Sequence, residues 1–300
     1  MKKIFRRLKL LTSSIPNITM GLIFEPRLHP WKMVIECLYL TANSFQNRSS
    51  YYLKKYFIVT ESVGGDWVVN FSNFKFIIPK ERTKDEHYIY TLLVLYYDII
   101  YPQKVKYPIE ILLNEGPYEN KSVIISKNDT VLDIGANVGI FSLYSASKAP
   151  EGKIIAFEPI QELVHQIKNV AQINDFKNID IVDCAVGDND GSISLMYSSD
   201  NFGGASKVLE SGEQTEVKMV TIDSFVKTAS LENVGFIKMD IEGMEPEALR
   251  GAKETLRKMK PRLAICTYHD PSHPKLIEEL ILVANSKYKI KHSSHKVFAW

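Results

Sequence analysis

Cysteine is scarce in this chain: Cys37, Cys184 and Cys266 are three in 300 residues, an odd number scattered over distant segments. That excludes a disulfide framework or a cysteine metal cluster and fits reduced thiols, so a cytoplasmic setting is expected. An excess of one charge is lacking too. The 37 lysines and arginines stand against 35 aspartates and glutamates, and a net charge of +2 is too small for a nucleic-acid footprint, so no nucleic-acid partner is expected. Long apolar runs are also missing. The longest uncharged apolar stretch, Tyr88 to Tyr97, stops at Asp98, well short of the ~20 residues that a membrane-spanning helix requires. No apolar run of secretory length follows the basic start, so no signal peptide is expected.

At 45% hydrophobic and 24% charged, the chain has the material for one large core or two modest ones. Lys2, Lys3, Arg6, Arg7 and Lys9 crowd the first nine positions, interleaved with Ile4, Phe5, Leu8, Leu10 and Leu11. A solvated, frayed terminus is the simpler reading, with peripheral contact to an anionic membrane surface, at the inner face, as the alternative. The organisation changes near residue 115. Residues 1–115 read as a helical and hairpin extension: prolines at 16, 26 and 30 break the first part, the β-formers of 66–79 turn near Ser72-Asn73, and Thr83 with Glu86 opens a helix that Pro102 closes. From 116 to 300 strands and helices alternate. Strands are expected at 130–134, 153–157, 179–186, 217–221, 235–240 and 262–268, helices at 140–148, 160–173, 246–259 and 274–286, a hairpin at 191–197 and a last pair near 288–299. That alternation predicts an α/β fold with a parallel sheet covered by helices on both faces.

The most informative stretch is VLDIGANVGIFSL, residues 131–143, followed by KIIAFEP at 153–159. A strand climbs to Asp133, turns through Gly135, Asn137 and Gly139, and enters a helix whose free N–H groups attract a negative ligand group. Glu158 closes the second strand, 19 residues past Gly139, where a carboxylate accepts hydrogen bonds from ribose hydroxyls. Asn137 stands where a dinucleotide fingerprint has its middle glycine, and the third glycine is missing. This disfavours a nicotinamide-dependent oxidoreductase, which is kept as the rival reading. It favours a ligand without pyrophosphate whose amino-acid end is held by backbone N–H groups and Asp133: S-adenosylmethionine.

With these motifs, DCAVGDNDG at 183–191 and FIKMDIEGMEPEALRGA at 236–252, the chain resembles the FkbM-type methyltransferases, a branch of the class I S-adenosylmethionine-dependent fold, over roughly residues 115–270. The resemblance implies a Rossmann-like, mostly parallel seven-stranded sheet whose last strand is antiparallel. It also implies O-methylation of a hydroxyl on a sugar, glycan, glycolipid or polyketide-like acceptor. Asp133, Gly135, Asn137 and Gly139 would then surround the methionine moiety, and Asp183, Cys184 and Ala185 the adenine. Tyr118 and Glu119, just before the first strand, are expected to approach the cofactor pocket, with the preceding hairpin and helix walling the acceptor site.

Methyl transfer from a sulfonium needs alignment and an exit for the hydroxyl proton. Asp240 ends a strand and Glu242 follows by two, so both are candidates for a general base or for holding a divalent cation; His269, at the end of the next strand, is the second candidate for the base and a third metal ligand. Glu245 is a third candidate carboxylate for either role; the simpler reading is that Glu242 and Glu245 only complement the positive end of the following helix. Lys238 should share a strand face with Asp240, as an ion partner or as a buried stem with a solvated head. SSDNFGGASKV, 198–208, reads as a connecting loop or as a lid over the site. A catalytically idle S-adenosylmethionine-binding module is the remaining alternative.

Overall fold

The computed structural model describes residues 58–61, 65–71, 74–80, 117–197 and 213–300. The basic terminus, the Thr83 helix and the 198–208 loop therefore lie outside the described residues. Among the described residues no helix is long and apolar enough to cross a membrane.

Strand β4 (Thr130–Ile134) is buried at four of its five positions, as are β5 (Lys153–Phe157) and β11 (Arg262–Cys266), and β10 (Phe236–Met239) is buried throughout. Apolar runs without alternation are what a strand covered on both faces requires. These strands form one seven-stranded sheet with β6 (Ile179–Val182), β12 (Ile290–His292) and β13 (Lys296–Ala299), in the order β12-β13-β11-β10-β4-β5-β6. All the pairings from β11 through β6 are parallel, and β13 is antiparallel to both neighbours. This is the class I methyltransferase arrangement, and its order reverses between β4 and β10. Ligands in such sheets sit at that reversal, beyond the carboxyl ends of the strands.

Helices α1 (Ile140–Lys148) and α2 (Gln161–Ile173) follow β4 and β5; α2 turns Leu163, Val164, Ile167 and Val170 inward at helical spacing. Helices α3 (Ile222–Thr228), α4 (Glu245–Arg250), α5 (Lys253–Lys258) and α6 (His273–Ala284) complete the cover. One cluster around Phe141 and Phe236 and another around Leu132, Ile134 and Ile265 fill the core.

Three local expectations change. Residues 179–186 do not make one strand: β6 stops at Val182, and β7 (Ala185–Val186) leaves for a second sheet, β7-β9-β8. Residues 191–197 are a single strand, β8 (Gly191–Tyr197), whose antiparallel partner is β9 (Glu213–Val220). The predicted helix 246–259 breaks into α4 and α5 at Gly251, where a Cβ would meet the Gly187 carbonyl at 2.2 Å.

Upstream, β1 (Ile58–Glu61), β2 (Trp67–Phe71) and β3 (Phe74–Ile78) form an antiparallel sheet. Its Val69, Phe76 and Ile78 are buried in the Phe141 cluster. The Lys75 amide and carbonyl bond the Asn174 side chain, and Phe74 meets Phe176 at 6.3 Å. Asn174 ends α2, a helix that runs back against the strands, so these contacts lie at the edge of the sheet opposite the strand ends where ligands bind.

Candidate active site

Every residue singled out between 133 and 158 lies at the β4 and β5 ends, but several are engaged differently from the expectation. The Gly135 and Ala136 amides donate to the Phe157 carbonyl at 3.1 and 2.9 Å, the Asn137 amide to Glu158 Oε2 at 2.9 Å, and the Gly139 amide to the Ala136 carbonyl at 2.8 Å. These loop N–H groups therefore hold the turn itself. Gly135, at φ +79, is required because a Cβ would lie 2.0 Å from the Asp240 carbonyl, and Gly139, at φ +83, because its position faces Ile167 of α2. Both glycines thus also serve close packing between elements. Asn137, at φ 51, supplies the third left-handed residue of the turn.

Asp133 is 0% exposed and already paired, accepting from Ser142 Oγ at 2.5 Å and facing Lys238 Nζ at 3.1 Å. An ammonium from outside has no access to it as the chain stands. The register explains the pair, since Lys238 lies directly beside Asp133 across β10 and β4. Lys238 Nζ also donates to the Gly135 carbonyl at 2.6 Å, anchoring the turn from beneath. Burial by itself would lower the Lys238 ammonium, but Asp133, then Asp240, hold it above its ordinary value. Of the two readings for Lys238, the ion partner is the one realised; its head is buried, not solvated.

Glu158 fits a ribose site. It is buried, and its oxygens each accept one backbone N–H, from Asn137 and from Ile160 at 3.0 Å, which leaves further lone pairs on both. Burial raises its carboxyl to about 7, against the pull of those amides and of Lys238. No side chain caps α1, whose first amides lack intrahelical partners, so its N-terminus fits a carboxylate. Asp183 is exposed and accepts from Gln161 Nε2 at 3.2 Å; Ala185 is buried beside Met219 and Met244. Burial first, then Asp183, pushes the Cys184 thiol up, which makes it a poor nucleophile.

Tyr118 is brought to the carboxylate rather than to the turn. Its hydroxyl donates to Asp240 Oδ2 at 2.7 Å, and its ring lies 4.3 Å beneath the buried Lys296 ammonium. Glu119 accepts from the Ile125 amide at 2.6 Å and from the Tyr144 hydroxyl, so it fastens the incoming chain to α1.

Beyond β10 the polar groups converge. Asp240 Oδ1 also accepts from the Tyr268 hydroxyl at 3.0 Å, and Tyr268 stacks on His269 with ring centres 4.1 Å apart. His269 Nε2 is 3.7 Å from Asp240 and 3.4 Å from Glu242, and its Nδ1 is 3.2 Å from Glu245. Burial opposes charge on His269, but Glu242 and Glu245 outweigh it and raise the imidazole to about 10. The surrounding carboxylates thus favour the protonated ring, which weighs against His269 as the base. Glu245 is 0% exposed, accepts the Ile241 amide at 2.9 Å and has His273 Nδ1 at 3.5 Å. Burial pushes its carboxyl up, but His269 and His273 bring it down to about 2. The compact trio is thus Asp240, Glu245 and His269, whose ligand atoms all lie within 4.8 Å of one another, with Glu242 in a left-handed turn at φ 55 on its rim. Glu245, the third candidate carboxylate, takes the central place, whereas the parts of Tyr268, His273 and Lys296 were not foreseen. No local spacing links Glu245 to His269, because they meet only through the β10-β11 pairing.

The sequence profile of the methyltransferase FkbM domain matches residues 133–290. The chain is 25% identical over 189 residues to methyltransferase sdnD of Sordaria araneosa, covering 52% of this chain and 73% of that one. It is 25% identical over 166 residues to the hexuronic acid methyltransferase AglP of Haloferax volcanii, covering 55% and 66%. Its match thus spans just under two thirds of the length of AglP. The crystal structure of methyltransferase FkbM from Methylobacillus flagellatus is similar at 18% identity and a TM-score of 0.48, over 91% of this chain and 71% of that one. With the domain match spanning the turn, Glu158 and the β10 cluster, the chain belongs to the FkbM family of S-adenosylmethionine-dependent methyltransferases.

Proposed function

We propose that this methyltransferase is O-directed and acts on a hydroxyl of a sugar-type acceptor, free or within a glycan, glycolipid or polyketide-like molecule. The observation that carries the reading is Asp240, a carboxylate at the β10 end held by two tyrosine hydroxyls and ringed by Glu242, Glu245 and His269. S-adenosylmethionine supplies an already activated methyl. The chain's own task is then to direct a hydroxyl oxygen in line with it and to give the proton a negative surface to leave by. Glu158 accepts the ribose hydroxyls, the α1 N-terminus takes the methionine carboxylate, and the segment Asp183 to Ala185 borders the adenine. Three carboxylates on the acceptor side disfavour an anionic acceptor atom and favour a neutral hydroxyl. A sugar is supported by the similarity to the hexuronic acid methyltransferase AglP.

The test is methyl transfer from labelled S-adenosylmethionine to a panel of neutral sugars, uronic acids and glycolipids, with products treated with mild alkali. An alkali-stable methyl ether on a neutral sugar bears out the reading. An alkali-labile ester moves the acceptor to a carboxyl group, and cofactor binding without any product across cell extracts returns the idle binding module.

A further inference from the structure

We propose that Asp240, Glu245 and His269 bind a divalent transition cation, of the kind that takes mixed oxygen and nitrogen ligands, such as Mn²⁺. The inference deepens the acceptor-side reading and rests on it for the ion's purpose, though not for its binding. The three side chains come from three elements, the end of β10, the start of α4 and the loop after β11, and offer ligand atoms within 4.8 Å of one another. A cation at roughly 2.0–2.2 Å from each atom needs only a small contraction of that cluster.

A knot of charges alone would not distinguish a metal site from a network of ion pairs. The bonding does. Glu245 is 0% exposed, yet its Oε2 has no hydrogen-bond partner, and neither nitrogen of the nearly buried His269 has one. Buried polar atoms are nearly always satisfied, and those that are not ask for an absent partner. His269 Nε2 lies 3.7 Å from Asp240 Oδ1 and its Nδ1 3.2 Å from Glu245 Oε1, close enough for one ring nitrogen to share a cation with both carboxylates. His273 Nδ1 stands 3.5 Å from Glu245 Oε2, where it orients that carboxylate from behind. One imidazole among carboxylates suits Mn²⁺ or Zn²⁺ better than Ca²⁺, which prefers an all-oxygen shell. Such an ion would hold an acceptor oxygen, and a sugar with neighbouring hydroxyls could present two.

The experiment uses the full chain stripped with EDTA, Mn²⁺ as the probe and the loss of the free-ion paramagnetic signal as the readout, with S-adenosylhomocysteine binding measured in the same samples by calorimetry. One Mn²⁺ per chain is expected, with Mg²⁺ and Ca²⁺ competing poorly. Glu245→Gln and His269→Ala should abolish stoichiometric binding, and His273→Ala should weaken it about 10–100-fold. Asp240→Asn, at the partly open rim, is the variant to use if the buried ones fail to fold. No Mn²⁺ uptake, or uptake indifferent to these substitutions, overturns the proposal and leaves His269 as a protonated link among the carboxylates. S-adenosylhomocysteine binding without Mn²⁺ uptake defeats the metal site alone. Mn²⁺ uptake without methylation of any hydroxyl defeats the acceptor reading alone.

Discussion

The turn after β4 and the cluster after β10 are neighbours built on opposite terms. In the turn, the amides of Gly135, Ala136, Asn137 and Gly139 are used within the chain, and Lys238 ties the Gly135 carbonyl to Asp133. In the cluster, Glu245, His269 and His273 bury atoms that make no hydrogen bond, whereas the comparable Asp133 Oδ1 of the turn has the Lys238 ammonium at 3.1 Å. A satisfied network fixes a shape and is costly to break, whereas an incompletely satisfied one is what a ligand completes. The first region should therefore respond to substitution chiefly in stability and the second chiefly in activity.

The sharpest way to break that contrast is at Lys238. Lys238→Ala leaves Asp133 as a buried charge without its cation, a loss of about 3–5 kcal/mol in buried pairs, which urea unfolding should read as a large drop in midpoint. Lys238→Met, which fills the volume, should unfold less easily than Lys238→Ala but still below wild type. A Lys238→Ala protein as stable as wild type would mean that the turn does not depend on this anchor.

Asp240→Asn is the counterpart in the second region. It keeps the shape and removes the charge, so turnover should fall about 100-fold or more while the melting temperature and S-adenosylmethionine affinity hardly move. Unchanged turnover on an identified acceptor would refute the acceptor-side site.

Much of the first region was legible in the sequence because it is local. The strand, the turn and the helix of 130–148 follow one another, and Glu158 lies one βα unit on. What the turn's residues do was less legible. The reason for Gly135 is the carbonyl of Asp240, 105 positions away, and the partner of Asp133 is Lys238, 105 positions away as well; only strand order brings these together. The second region shows the same limit. Asp240, Glu242 and His269 could be singled out as strand-end polar residues. Glu245 could be read only as a third candidate carboxylate, because helix-start glutamates usually serve the helix dipole, and Tyr268 carried no pattern at all. Tyr118 was expected at the cofactor and bonds Asp240, a link across 122 residues.

Glu158 lies between the two regions and gives the next smaller effect. Glu158→Ala should lose about 1.5–3 kcal/mol of S-adenosylmethionine affinity if charged hydrogen bonds to the ribose are made there, and calorimetry reads it directly. The same residue gives a pH signature. Its folded pKa, about 7, lies above the ordinary 4.5, so the protonated form is the one that folding favours. The stability it contributes is complete below 4.5 and is lost as pH rises through 7. Wild type should therefore lose more stability than Glu158→Gln between about pH 5 and about pH 8, measured by urea midpoints. Parallel curves for the two proteins would show that Glu158 is already ionised in the fold.

The smallest expected effect belongs to Tyr268, and it tests whether the second region is built for chemistry or for packing. Tyr268 is 39% exposed, donates to Asp240 Oδ1 at 3.0 Å and stacks on His269. Tyr268→Phe keeps the ring and its stacking and removes one hydrogen bond to a partly open carboxylate, a change of about 0.5–1.5 kcal/mol. If that bond only orients Asp240, kcat/KM should fall about threefold to tenfold at an unchanged melting temperature, and cofactor affinity should stay the same. Tyr118→Phe removes the other bond to Asp240, but from a buried ring beneath Lys296, so it should cost stability as well as rate. A Tyr268→Phe variant as impaired as Asp240→Asn would show that the Tyr268 hydroxyl touches the acceptor itself. One that lost stability without losing rate would erase the distinction between the two regions.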